Sequence, residues 1–174
     1  MRAEPPVVSN AGPLIVLAKL NLLHLLRELY GYVSIPRSVY DEVVHEGIRQ
    51  GHEDARRLLL FFQQAQWNPD EGNETATPSS LREALLDQGE RDTITLALTL
   101  EDPLILMDEI VGRRIAREQG LRVRGTLGVL IEAYQRGVIG EDDLRAHFAE
   151  IATRRDIWIN GDLVERLLQQ LFSR

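Results

Sequence analysis

The chain has 174 residues, the size of one ordinary domain, and a formal charge of −7. It contains no cysteine, which excludes disulfides, thiol catalysis and zinc-thiolate sites and fits a reducing cytoplasm. No apolar run approaches the ~20 residues of a membrane span. No signal-peptide core follows the opening Met-Arg-Ala-Glu-Pro-Pro, and the acidic balance argues against a strong general affinity for nucleic acid.

Val7-Val8-Ser9 reads as a short first strand. Pro13 then suits the first turn of a helix, with Leu14, Leu17, Ala18 and Leu20 at helical spacing and a second helical piece from Leu22 to Leu29. Tyr32-Val33-Ser34-Ile35 reads as strand two, ended by Pro36, and Ser38 is placed to cap a helix through His45. Gly47 to Gly51 reads as a break. His52 to Gln66 is amphipathic, with Leu58, Leu59, Phe61 and Phe62 on its apolar face. Residues 68–80 have loop composition. Ser80-Leu81-Arg82-Glu83 has the spacing of a capping box. After an interruption at Gly89, a helix runs from Asp92 to Leu100 with Ile94, Leu96, Ala97 and Leu98 inside.

Pro103 to Met107 is a continuous apolar run, as a central parallel strand requires. Gly112 to Gln119 is helical, with Gly120 suited to its end. Leu121 to Arg124 alternates like an edge strand, and Thr126 to Arg136 is helical. Two more helical patterns follow, Asp142 to Ala152 and Gly161 to Phe172. The β-α-β-α alternation predicts an α/β fold with a parallel sheet, in one domain, with an appended C-terminal helical pair.

Four segments stand at strand ends or helix starts: Ser9-Asn10-Ala11-Gly12, Val39-Tyr40-Asp41-Glu42, Gly89-Glu90-Arg91-Asp92 and Leu106-Met107-Asp108-Glu109. In a parallel sheet such segments meet outside the carboxyl ends of the strands. Like charges 4 Å apart repel by ~4 kcal/mol at an effective dielectric near 20. A hard divalent cation, Mg²⁺ or Mn²⁺, would relieve that repulsion. Taken singly, Asp108 could be an N-cap, Glu90 and Asp92 could complement a helix dipole, Glu42 could be a solvated helix position and Asn10 a turn residue. Lys19 is the lone lysine beside nineteen arginines, and Arg113, Arg114, Arg117, Arg122 and Arg124 cluster just after Asp108. Arginine forks match phosphate oxygens, so a basic patch beside an acidic metal site fits a phosphodiester substrate.

Competing chemistries lack their residues. The four histidines show no metal-ligand spacing. Gly125-Thr126-Leu127-Gly128 lacks the third glycine of a dinucleotide fingerprint and the Lys-Ser/Thr of a P-loop. There is no Gly-x-Ser-x-Gly elbow. A receiver domain needs a lysine after a late strand, and Lys19 lies in the first helix.

The segments Val8-Ser-Asn-Ala-Gly-Pro-Leu-Ile-Val-Leu-Ala-Lys-Leu20, Ile35-Pro-Arg-Ser-Val-Tyr-Asp-Glu-Val43, Gly89-Glu-Arg-Asp-Thr-Ile-Thr-Leu-Ala97 and Asp108-Glu-Ile-Val-Gly-Arg-Arg-Ile-Ala116 together resemble a PIN domain. They resemble in particular a prokaryotic PIN-like subfamily of nucleic-acid-binding proteins related to VapC-type toxins. The resemblance covers roughly residues 7–136. It implies a three-layer α/β/α fold and a Mg²⁺- or Mn²⁺-dependent ribonuclease with an acidic quartet.

On this chain the first acid falls on Asn10, the second on Glu42, the third on Glu90 or Asp92, and the fourth on Asp108. Metal ligands would come from Asn10, Glu42, Asp92 and Asp108, and the catalytic carboxylates would be Glu42, Glu90, Asp92 and Asp108. A carboxylate off the metal, Glu90 or Asp92, would act as general base. Arg113 and Arg114 would hold flanking phosphates. Asn10 departs from the quartet by lending oxygen without charge, and Gly12 stands where many relatives carry a hydroxyl. The partners implied are RNA, single-stranded above all, an antitoxin protein in a hydrophobic groove, and a second copy of the chain, with no membrane. The rival function is a non-catalytic nucleic-acid-binding or protein-interaction module on the same fold.

Overall fold

The computed structural model describes residues 4–72 and 76–173. Three short stretches form one parallel sheet, β1 (Val7–Ser9), β2 (Leu104–Leu106) and β3 (Arg122–Arg124), in that spatial order. Val7 pairs with Leu104, and Leu104 with Arg122. β2 is central and wholly buried, as its unbroken apolar run requires. β3 closes the edge with Arg122 exposed.

The expected second strand is reduced to a bridge. Ser34 pairs with Val8 on the outer side of β1, through Ser9 N–H to the Ser34 carbonyl at 3.1 Å and Ser34 N–H to the Val7 carbonyl at 2.8 Å. Pro36 has no N–H to extend a ladder, and the chain turns away to pair with Asp70 instead. The chain therefore leaves β1 toward Ser34 and returns on the opposite side through β2. That reversal makes a switch point between the carboxyl ends of β1 and β2, where open α/β sheets bind their ligands.

The helices are α1 (Ala11–Lys19), α2 (His24–Tyr30), α3 (Arg37–Tyr40), α4 (Gly47–Arg49), α5 (Glu53–Ala65), α6 (Ser79–Glu83), α7 (Gln88–Leu98), α8 (Ile110–Glu118), α9 (Thr126–Gln135), α10 (Glu141–Thr153) and α11 (Gly161–Phe172). Between α3 and α4 the chain is π-helical, Asp41–Glu46. The residue types and spacings predicted most of these. Four details differ.

The helix expected from Ser38 to His45 starts at Arg37 and, through the π-helical segment, runs on to Arg49 instead of breaking at Gly47. Ser38 does not cap it; its hydroxyl donates to Asp92. The Ser80–Glu83 capping box does not form, because Pro78 takes the N-cap position of α6. The box forms between Asp87 and Glu90, so α7 begins four residues before Asp92, Gly89 lies inside its first turn, and Leu98 is exposed rather than inside. Residues 73–75 of the expected loop lie outside the described residues.

The chain divides into two compact units, Met1–Thr126 and Leu127–Arg174. In the first, Val8, Ile94, Ala97, Ile105, Met107 and Ala116 form one apolar cluster. Each such large side chain, fully buried, contributes about 1.5–3 kcal/mol. In the second, Leu144, Phe148, Ile151 and Val164 are buried between helices, and the Arg145 guanidinium lies 4.1 Å over the Phe172 ring. Among the described residues no helix is long and apolar enough to cross a membrane.

Candidate active site

The switch point is built from the ends of strands. Asn10 follows β1 directly, and its N–H donates to the Leu106 carbonyl at 2.9 Å, tying the end of β1 to that of β2. Asn10 stands at the N-cap of α1, yet its side chain makes no cap hydrogen bond. Its Oδ1 is buried and has no hydrogen-bond partner. Leaving such an oxygen unsatisfied costs about 1–3 kcal/mol, so its retention here points to a binding role.

Gly89 shows where that oxygen aims. A Cβ built on Gly89 would lie 3.3 Å from Asn10 Oδ1 and 3.4 Å from Glu42 Oε2. Asn10 and Glu42 thus flank the same point on the first turn of α7, and a side chain at residue 89 would crowd both. Glu42 stands at the start of the π-helical segment and faces solvent in part. Partial desolvation of its carboxylate, then the charges of Asp87, Glu90 and Glu109, raise its pKa above the ordinary carboxylate value.

Glu90 is buried. Its Oε2 accepts from Asp87 N–H at 2.9 Å while its own N–H donates to Asp87 Oδ1 at 2.7 Å. Its other oxygen faces α8, where a Cβ on Gly112 would approach it to 2.8 Å. Burial raises the Glu90 pKa, the Asp87 N–H bond works against it, and the charges of Asp87 and Glu109 add to it.

Asp108 lies two residues past β2. Both its oxygens are held by Thr126: the N–H donates to Oδ1 at 2.7 Å and the hydroxyl to Oδ2 at 2.6 Å. A Cβ on Gly125 would lie 2.9 Å from Oδ1, so only glycine lets the Thr126 amide approach this closely. A Cβ on Gly12, two residues after Asn10, would lie 3.4 Å from Oδ2. Burial raises the Asp108 pKa, and the two Thr126 bonds and the Arg113 charge oppose it. The N-cap role open to Asp108 in sequence falls to Glu109 for α8. Asp108 instead receives the first N–H of α9.

The other candidates separate. Asp92 accepts from the Ser38 hydroxyl at 2.5 Å and the Gln88 amide at 2.8 Å. It lines a cavity of about 590 Å³ that neither Asn10, Glu42, Glu90 nor Asp108 reaches. Arg113 is half-buried beside Asp108, its Nη1 donating to the Met107 carbonyl at 3.2 Å. Desolvation, then Arg117, lowers its pKa. Arg114 is exposed and pairs with Glu118 at 3.4 Å. Arg122 pairs with Asp102, and Arg124 donates to the Tyr30 hydroxyl.

Three neighbours escape a reading of the sequence: Asp87, Glu109 and Thr126. The Asp87-x-x-Glu90 spacing is a capping-box signal, and Gly125-Thr126 directly after an edge strand marks a helix start, but neither signal names a carboxylate partner.

The oxygen-only donor set suits a hard divalent cation, and the buried Asn10 Oδ1 is an acceptor in want of a positive partner. Among the described residues no three His, Cys, Asp or Glu groups gather tightly enough to hold a metal alone. A protein-family model described as PIN domain matches residues 6–173. No curated protein and no solved structure matches the chain.

Proposed function

Because the chain belongs to the PIN-domain family, we propose that it is a Mg²⁺- or Mn²⁺-dependent ribonuclease of the kind related to VapC-type toxins, acting on single-stranded RNA. The observation that carries this reading is the buried, partnerless Asn10 Oδ1 facing the Glu42 carboxylate at the switch point. Asn10, Glu42 and Asp108 would hold the cation, with Glu90 as the third acid. Asp92 is set aside because Ser38 and Gln88 occupy its oxygens on a different cavity. When bound, such an ion lowers the pKa of a water ligand and offsets charge on the phosphoryl oxygens.

The residues of the chain supply the rest. Asn10 orients through a fixed backbone, anchored by its N–H on Leu106. Glu90, held by its capping box and with burial raising its pKa, would serve as the general base. Arg113, pinned at one nitrogen by the Met107 carbonyl, has further donors for a phosphate next to the scissile one. Arg114 reaches a phosphate more remotely, after release from Glu118.

Incubation of the purified chain with single-stranded RNA and Mn²⁺ tests the reading. Cleavage that requires Mn²⁺ and disappears in Asp108→Asn supports it. One observation favours a second reading: Asn10 brings no charge to the position where the resemblance puts the first acid. RNA binding without cleavage, lost on Arg113→Ala and Arg114→Ala, would make the chain a binding module.

A further inference from the structure

The geometry points to Thr126 as the positioning residue for Asp108, an inference that rests on the ribonuclease reading. Thr126 is wholly buried. It spends two donors, amide and hydroxyl, on the two oxygens of one carboxylate. A single donor would leave the carboxylate free to rotate about its Cβ–Cγ bond. Two donors on two oxygens fix its plane, and each oxygen keeps further lone pairs to turn toward the switch point. Gly125 clears the approach, since any Cβ there would press on Oδ1. Outer groups that orient a metal-binding side chain change metal affinity or activity by 10–100-fold when removed. Thr126 is such a group here. It touches neither RNA nor reacting atoms, and it acts through Asp108.

Two variants separate this role from packing. Thr126→Val keeps the shape and removes the hydroxyl; Thr126→Ser keeps the hydroxyl and removes a buried methyl. Each is checked for fold by circular dichroism, then titrated with Mn²⁺ by calorimetry and assayed on single-stranded RNA. Positioning predicts that Thr126→Val weakens Mn²⁺ binding roughly tenfold or more, with kcat falling and KM for RNA unchanged, while Thr126→Ser stays near wild type. Packing alone predicts the reverse order, and that order overturns the inference, as does a folded Thr126→Val that binds Mn²⁺ like wild type. A wild-type chain that takes up no Mn²⁺ fails differently: it sinks the ribonuclease reading and the inference with it.

Discussion

Glu42 and Glu46 stand four residues apart on the same π-helical segment, and their carboxylates are treated in opposite ways. Glu46 takes hydrogen bonds from Arg49 and Gln50, which lower its pKa. Glu42 is raised by desolvation and by three acids. Arginines satisfy acids elsewhere on the surface as well, Glu71 by Arg37 and Asp102 by Arg122. At the switch point the Glu42, Asp87, Glu90 and Glu109 charges face one another, and the neighbouring Asn10 oxygen has no donor. Among the described residues, arginines pair with Glu46, Glu71 and Asp102 and none pairs with Glu42. On the proposed reading, that contrast separates carboxylates serving the fold from carboxylates held for a ligand.

The widest gap between the two should be in activity. Glu42→Gln is expected to lower Mn²⁺-dependent RNA cleavage on the order of a hundredfold or more, beyond the effect of losing an outer partner of a metal site. Glu46→Gln should leave the rate unchanged. Equal rates in the two variants would erase the contrast.

Metal stabilisation comes next. An ion that binds only the native state adds about 2.7 kcal/mol at a hundredfold excess over Kd. Thermal melts should rise with millimolar Mn²⁺ in wild type and Glu46→Gln, and stay flat in Glu42→Gln.

The pH dependence of the metal-free chain sharpens the comparison further. A carboxyl whose pKa is raised on folding takes up its proton more readily in the native state, so stability increases as pH falls from above the folded value toward the unfolded one. Glu42, Glu90 and Asp108 all shift this way. In EDTA, urea midpoints should therefore climb as pH falls from neutral toward the ordinary carboxylate range, and the climb should shrink in Glu42→Gln. Glu46, lowered on folding, contributes the opposite trend, and Glu46→Gln should make the climb slightly steeper.

The smallest effect expected is that of Asn10→Asp. The new charge beside Glu42 should lower metal-free stability and tighten Mn²⁺ binding, since carboxylates hold hard cations better than amides do. A several-fold gain in cleavage would mark Asn10 as a weakened ligand. A loss would mark a site tuned to the neutral amide.

Much of this was legible in the chain. The apolar runs at Val7 and Pro103 and the alternation at Leu121 locate all three strands, because burial on both faces or one leaves its period in the sequence. Asn10 and Asp108 follow from those strand ends. The proposed preference for Glu90 over Asp92 does not, since the two stand two residues apart near the start of one helix and their directions depend on where that helix begins. Two capping boxes were available, at Ser80 and at Asp87. Pro78 took the N-cap of α6, so the first did not form, and the second set the start of α7. Thr126 sits in no phosphate-loop pattern, and its link to Asp108 runs across 18 residues that no local rule spans.

The π-helical turn carries a last consequence. Gly47 N–H bonds the Glu42 carbonyl five residues back, the mark of one residue more than an α-turn holds. Gly47 must at the same time press against Ala55, since a Cβ there would come within 2.6 Å of the Ala55 methyl. The surplus residue lets Glu42 answer to the switch point and Gly47 to α5. Residue count between them is therefore the constrained quantity. Many exchanges at the exposed His45 would pass unnoticed, whereas deleting one residue from Val43–Glu46 would keep a helix and misdirect one of its ends. In this segment the chain should tolerate substitution far better than a change of length.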